Sequence, residues 1–356
     1  LSTIGTILGK KKYSSTVIYA KETPLDKHIE SVLEFPPSQL VLKVKSPILS
    51  THTSYGLPIQ IQLDGHFDEA PLLDTPVFII PLIPQYFHNF FETFSNILAL
   101  IDLKESFKVL IVYYEHDLNN GIFKSLTEDP LRHINAKHVL DFLTFLNIPF
   151  ECILDTEVST LRVSHCYLFF SEFHIQGLDD PIIKHNNKDY YLYHFLKVPD
   201  NSISIKTISK LRELIPHEGA SPNKKIYLSR KKTIDRPFPF EDALEARLIE
   251  LGFTSIFFED MSFSEQVRAV RSADYIVALY GSALVNCGFA KPSAKVFSIN
   301  YTDKYRVDLY EVIFSNFDID FTIFGAYAKT LDLDELCFII ERWSLGSNES
   351  STGLVY

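Results

Sequence analysis

The stretch KKIYLSRKKTIDR at 224–236 holds six Lys or Arg among its thirteen residues. The chain around it is acidic, with 34 Lys and Arg against 45 Asp and Glu and a net charge of −11. The apolar run KIYL leads into Ser229-Arg230, so Arg230 is expected at a strand end, where α/β folds place their ligands. A guanidinium is a planar fork that donates two hydrogen bonds to phosphate oxygens. Arg230 is therefore a candidate for holding a pyrophosphate, while Lys231 and Lys232 read as solvated loop charges.

The turn LYGSALVN, 279–286, is the second candidate. A strand runs into Gly281, and the small residues Ser282 and Ala283 open a helix. A helix start offers unpaired N–H groups and partial positive charge, and Gly281 with Ser282 lets an anion come close. The third candidate is FHNFFE, 87–92, where His88 and Glu92 stand four apart and share one helix face. Either could take a proton from an acceptor hydroxyl. By spacing alone, however, the pair is one polar stripe on an amphipathic helix.

Other polar groups read as structural. Asp318 and Asp320 sit in an FDIDF alternation that would line one exposed strand face. Asp332 and Asp334 open a helix, where acids suit the dipole. The loop 63–71 (LDGHFDEAP) is polar and crowded without a spacing that assigns a role. The twelve His show no HExxH spacing, and neither a GxSxG elbow nor a Walker A loop occurs. Metal ligation is not expected. Asn348-Glu349-Ser350 is a formal glycosylation sequon in the tail.

These candidates need elements to position them. The first seventy residues are irregular, with short apolar runs at 16–20 and 39–45. From Pro76 the pattern sharpens to a strand at 77–83, a helix at 86–103, a strand at 107–115, a helix at 134–147 and strands at 150–155 and 163–170. This alternation predicts a parallel sheet covered by helices. A helix at 203–215 precedes PHEGASPN, 216–223, which reads as a linker. Domains of 1–216 and 217–356 follow, and the length of 356 residues suits two.

The second half repeats the alternation. Strands are expected at 225–230, 255–260, 274–281 and 294–300, and helices at 240–253, 262–273, 282–290 and 333–343. Leu244, Leu248 and Leu251 line one face of the first helix, which Gly252 stops. Ser262-x-x-Glu265 fits a capping box. The last helix closes the chain, free to pack back on the first domain.

With 46% hydrophobic and 22% charged residues the chain can build large cores, which excludes disorder. Its acidity argues against a nucleic-acid backbone or an anionic membrane as main partner. No apolar run reaches membrane-spanning length. Cys152, Cys166, Cys287 and Cys337 lack CxxC spacing and are expected as buried thiols. The chain starts at Leu1 and its one Met is Met261. From this we expect an upstream segment, which would carry any signal or anchor. Cytoplasmic and lumenal secretory locations both stay open.

The run 225–286 resembles glycosyltransferase family 61, which includes plant xylosyl- and arabinosyltransferases and animal O-linked N-acetylglucosaminyltransferases. The matches are Ser229-Arg230, Arg236, Glu241, Gly252-Phe253, Ser262-Phe263-Ser264-Glu265-Gln266, and then Gly281, Leu284 and Asn286. Upstream, 86–100 resembles the family's His-x-x-x-Asp/Glu helix. The chain departs from the pattern at Tyr280 in place of His, at Ser282, Ala283 and Val285 in place of Ala, Gly and Thr, and at Phe240 in place of Asn.

The resemblance implies a GT-B fold, with two Rossmann-like domains facing across a cleft. It implies a nucleotide-sugar donor, UDP-linked, on the second domain and a glycan or glycoconjugate hydroxyl as acceptor on the first. Transfer would invert the anomeric carbon with neither a cofactor nor an obligatory metal, and xylose or a GlcNAc-type sugar is the expected cargo, as in polysaccharide biosynthesis. Arg230 and the 281–283 turn would stabilise the leaving diphosphate, with Tyr280 beside them. Arg236, Glu265 and Gln266 would orient phosphate, ribose or base, although Glu265 has its own account as the capping-box acid. Glu92, or His88 after it, would be the base. Two alternatives stand beside this. Tyr280 in place of His favours a non-catalytic binder of nucleotide sugars or glycans, and a UDP-sugar epimerase of GT-B shape would share the same elements.

Overall fold

The structure is a computed structural model. It describes residues 16–19, 29–35, 39–45, 48–50, 59–62, 72–82, 107–113, 115–117, 122–124, 134–153, 160–171, 183–185, 188–192, 201–215, 223–232, 238–301, 307–325 and 332–345, with positions 94, 97, 98 and 101. The chain divides into two compact units, Leu1–Ile203 and Ser204–Tyr356.

The first unit is mixed rather than parallel. Strand Val77–Leu82 pairs in parallel with Lys108–Tyr113, which pairs in parallel with Phe150–Ile153. On its other side Val77–Leu82 meets His165–Ser171, again in parallel. The expected parallel core is thus present, but His165–Ser171 also pairs antiparallel with Gln39–Lys45, which pairs antiparallel with Ile29–Phe35. The apolar runs of the first seventy residues are therefore sheet strands, and Thr16–Tyr19, Ile48–Ser50 and Ile59–Gln62 belong to a second, five-stranded sheet. Gln39–Lys45 and Ile48–Ser50 find further partners more than a hundred residues on, in His165–Ser171 and Thr160–Val163, so local pattern left their place irregular. Helix Ile134–Phe145 lies where periodicity put it, and its Phe142 stacks on Phe94 with ring centroids 4.0 Å apart.

The second unit carries the strand-end candidates. Its strands are β1 (Lys225–Leu228), β2 (Thr254–Ile256), β3 (Tyr275–Leu279), β4 (Lys295–Asn300) and β5 (Asp320–Gly325). They form one parallel sheet in the order β2-β1-β3-β4-β5. Its helices are α1 (Asn201–Leu214), whose first residues precede the division at Ser204, α2 (Glu241–Glu250), α3 (Phe263–Arg271), α4 (Val307–Ser315) and α5 (Leu333–Ser344). A 3-10 helix, Ser282–Phe289, follows β3.

Alternate residues of a strand face opposite sides. Tyr227, Val277, Leu279, Phe297 and Ile299 take one side, buried with Leu244 and Leu248 of α2 and Leu336, Cys337 and Ile340 of α5. Ile226, Ile276, Ala278, Val296 and Ser298 take the other and are equally buried. A parallel sheet covered on both faces needs such continuous apolar strands. The buried face of α5 is committed to this core.

The helix ends follow the local chemistry. After α2, Gly252 takes φ 85°, and Phe253 N–H donates to Leu248 O while Gly252 N–H donates to Ile249 O. That is a Schellman closure, which needs a left-handed residue at this position. Before α3, Ser262 Oγ accepts from Glu265 N–H and the Glu265 carboxylate accepts from Ser262 N–H, so the expected capping box forms. Strand β2 ends at Ile256, earlier than expected, and Phe258–Asp260 turn as a 3-10 segment. The helix α4 had no counterpart in the sequence reading, and strand β5 begins only at Asp320, later than the FDIDF alternation suggested. Asp318 lies in a left-handed turn at φ 53° and Asp320 begins β5, so the two do not share a strand face.

Candidate functional site

In the order β2-β1-β3, the chain leaves β1 outward through α2 to β2 and then returns past β1 to β3. Loops from the carboxyl ends of β1 and β3 depart in opposite directions, which opens a crevice there. Arg230 follows β1 and Tyr280-Gly281 follows β3. Two candidates fifty residues apart in sequence are therefore neighbours: Arg230 Nη1 donates to Tyr280 O at 3.1 Å. They are held against Gly281 as well. A Cβ built on Gly281 would lie 2.7 Å from Arg230 Nη1. The backbone at Gly281, φ 167°, is ordinary extended chain. Glycine is needed here for the close approach of the guanidinium and not for its dihedral freedom.

Each side of this contact is braced. Tyr310, on α4, donates its hydroxyl to Gly281 O at 3.0 Å and sets its ring edge-on to Tyr280 at 5.7 Å. Tyr280 is itself buried, so its ring packs inward. On the other side Glu241, buried at the start of α2, accepts from Tyr227 Oη and Ser229 Oγ, both at 3.1 Å, and from Arg230 N–H. Burial, followed by Glu241, pushes the Tyr227 hydroxyl well above the usual tyrosine range, so it stays a donor. A carboxylate also suits the positive end of the α2 dipole.

The neighbouring lysines are committed elsewhere, in ion pairs that the reading of them as solvated loop charges did not anticipate. Lys231 pairs with Asp242 at 2.7 Å and with Glu245. Those two carboxylates hold the Lys231 ammonium above the usual lysine range. Lys232 pairs with Asp260 and lies over the Phe257 ring at 4.9 Å. Among the described residues of the 224–236 patch, the guanidinium of Arg230 is the cation set against the β3 turn.

Ser282 and Ala283 open the 3-10 helix half-buried, directly beyond Gly281, and Leu284 N–H donates to Gly281 O. The first N–H groups of a helix lack partners within it, so this turn can meet an anion beside Arg230. Glu265 is exposed and engaged in its capping box. Gln266 is fully buried: its Nε2 donates to Phe258 O at 2.9 Å and Met261 O at 3.2 Å, and its Oε1 accepts from Asn286 Nδ2 at 2.8 Å. It ties the turn after β2 to the 3-10 helix behind Gly281. Asp332 caps α5 by accepting from Asp334 N–H and Glu335 N–H, the structural role expected of that acidic pair.

Arg236, His88 and Glu92 lie outside the described residues. Among the described residues no group of three or more His, Cys, Asp or Glu stands together to hold a metal, and no helix is long and apolar enough to cross a membrane. Sequence reasoning had noted Glu241 as a motif match without a role, and it missed Tyr310. The motif signals Glu241; the element bearing Tyr310 gave no signal of its own.

A doubly wound parallel sheet with an Arg and a small-residue turn meeting at its switch point defines an α/β protein with a candidate anion site. The sequence model of the family described as Glycosyltransferase 61 matches residues 86–297, more than half of the chain. The chain belongs to that family and is a glycosyltransferase, acting on nucleotide sugars. No curated protein matches significantly. Among solved structures, the flavodoxin-like domain of a Synechococcus sp. protein aligns at 14% identity and TM-score 0.26, over 34% of this chain and 93% of that one. A dodecameric iron-containing heptosyltransferase, solved with ADP-D-β-D-heptose, aligns at 11% identity and TM-score 0.29, over 83% of this chain and 82% of that one.

Proposed function

We propose that this glycosyltransferase moves a sugar, of xylose or GlcNAc type, from a UDP-linked donor to a glycan or glycoconjugate hydroxyl with inversion. The observation that carries the donor half is the contact of Arg230 with the Tyr280-Gly281 turn at the switch point. Bond cleavage at the anomeric carbon leaves negative charge on the diphosphate. A fixed guanidinium and the N–H groups at Ser282 and Ala283 stabilise that charge without reorganising, which is the larger part of such catalysis. Gln266 keeps the turn in place through Asn286, and Arg236 and Glu265 orient the rest of the donor. The acceptor hydroxyl loses its proton to Glu92, or to His88, on the first unit, in a GT-B arrangement. The family's chemistry needs no obligatory metal, so chelation should leave transfer intact.

Arg230→Ala is the test. It should abolish UDP binding in calorimetry and leave the thermal melt nearly unchanged. UDP binding equal to wild type would end the assignment. A screen of UDP-xylose, UDP-GlcNAc and UDP-galactose, with and without glycan acceptors, identifies the cargo. Binding with no turnover on any acceptor would favour the non-catalytic reading, and a converted sugar without an acceptor would favour the epimerase.

A further inference from the structure

We infer that Glu241 is the positioning residue of the donor site, acting through Arg230; this rests on the UDP-donor reading above. One oxygen of the Glu241 carboxylate gathers three donors from the end of β1: Tyr227 Oη, Ser229 Oγ and Arg230 N–H. The residue is 6% exposed, so these bonds work in a low-dielectric setting where charge-assisted bonds are strong. Their effect is local. Strand β1 ends at Leu228, and its last ladder bond is Ser229 N–H to Ile256 O. Beyond it the backbone leaves the sheet, and a loop residue there would otherwise sample several conformations. The Glu241 bond to Arg230 N–H fixes the backbone at the residue whose side chain crosses to Tyr280 O.

The same helix turn holds the next residue by its side chain, since Asp242 and Glu245 both pair with Lys231. The first turns of α2 thus grip consecutive residues of the loop, by main chain at Arg230 and by ammonium at Lys231. A side chain as long as arginine aims its guanidinium only as well as its own backbone is fixed. Preorganisation of this kind sets how much of the guanidinium's charge reaches the diphosphate. Glu241 itself, shielded by its three donors, need not touch the donor.

A cycle on UDP binding tests this. Glu241→Ala should weaken UDP by roughly tenfold or more, the loss typical of a removed hydrogen bond to a charged group. Glu241→Gln keeps the shape and one acceptor oxygen, and should weaken UDP by about threefold. In an Arg230→Lys background, which keeps a cation and measurable UDP binding without the guanidinium fork, both effects should shrink to under about twofold, because coupled residues are not additive. UDP affinity equal to wild type in both Glu241 variants overturns the inference, as does a full, additive loss in the double variants. If Glu241→Ala does not fold, the Gln cycle decides alone. In kinetics, Glu241→Gln should lower kcat and leave KM for acceptor unchanged, a split that a general loss of structure would not produce. Wild-type protein that binds no UDP would overturn the donor reading and this inference with it. Wild-type binding with unaffected variants would overturn this inference only.

Discussion

Arg230 and Gly281 fit so closely that a single methyl on the glycine would stand 2.7 Å from the guanidinium Nη1. The arginine lies along bare backbone, with Tyr280 O as acceptor for the same nitrogen. The contact joins the carboxyl ends of two adjacent parallel strands, so it converts a property of the sheet order into a property of a charged group.

Gly281→Ala should therefore act on the guanidinium and spare the fold. The backbone there is extended and tolerates alanine, and the displaced atom is the far end of a flexible side chain. UDP affinity is expected to fall about tenfold, roughly 1.4 kcal/mol, with a melting shift below the ~2–4 °C that 1 kcal/mol produces in a domain of this size. Calorimetry and a thermal melt check both halves; unchanged affinity would show that the close approach has no bearing on binding.

Lys231→Met should show the reverse pattern. The ammonium is bound to Asp242 and Glu245, and without it the Glu241 bond still holds the Arg230 N–H, so UDP affinity should fall by about threefold at most. Stability should drop, because the buried Glu245 loses a partner. A tenfold loss of affinity in this variant would place Lys231 at the donor.

Asn286→Ala removes the donor that Gln266 Oε1 accepts in a fully buried pair. Leaving a buried acceptor short of its partner costs about 1–3 kcal/mol, which denaturant unfolding resolves. A change under about 0.5 kcal/mol would mean that the amide pair does not brace the 3-10 helix.

Burial pushes the thiols of Cys166 and Cys287 well above the ordinary cysteine range. Each thiol favours the folded state below its unfolded pKa, and that contribution is lost as pH rises towards the folded value. The melting temperature should thus decline above about pH 8.5. A thiol reagent at pH 8 should leave both residues unlabelled in native protein and label them on unfolding. Rapid native labelling of Cys287 would contradict its burial behind Gly281.

The mixed sheet of the first unit shows where local pattern stops being informative. QLVLKVK reads as a possible strand anywhere, yet its place is set by antiparallel pairing with Ile29–Phe35 and with His165–Ser171, more than a hundred residues on. Tyr310 was invisible for the same reason: its helix follows a stretch with no recognised element, and its role depends on reaching Gly281 O.

What the sequence determined alone was local. Apolar alternation set the strands and helices of 225–300, Gly252 closed α2, Ser262 and Glu265 capped α3, and Ser229-Arg230 and Gly281 marked two loop ends. Such signals act within a turn or two of chain, where sterics, capping bonds and periodicity suffice. Tertiary structure alone decided that β1 and β3 are neighbours, that Arg230 meets Gly281, and that Glu241 and Tyr310 hold the two sides. Those contacts depend on strand order, which arises from burying both faces of the sheet at once and is written in no single segment.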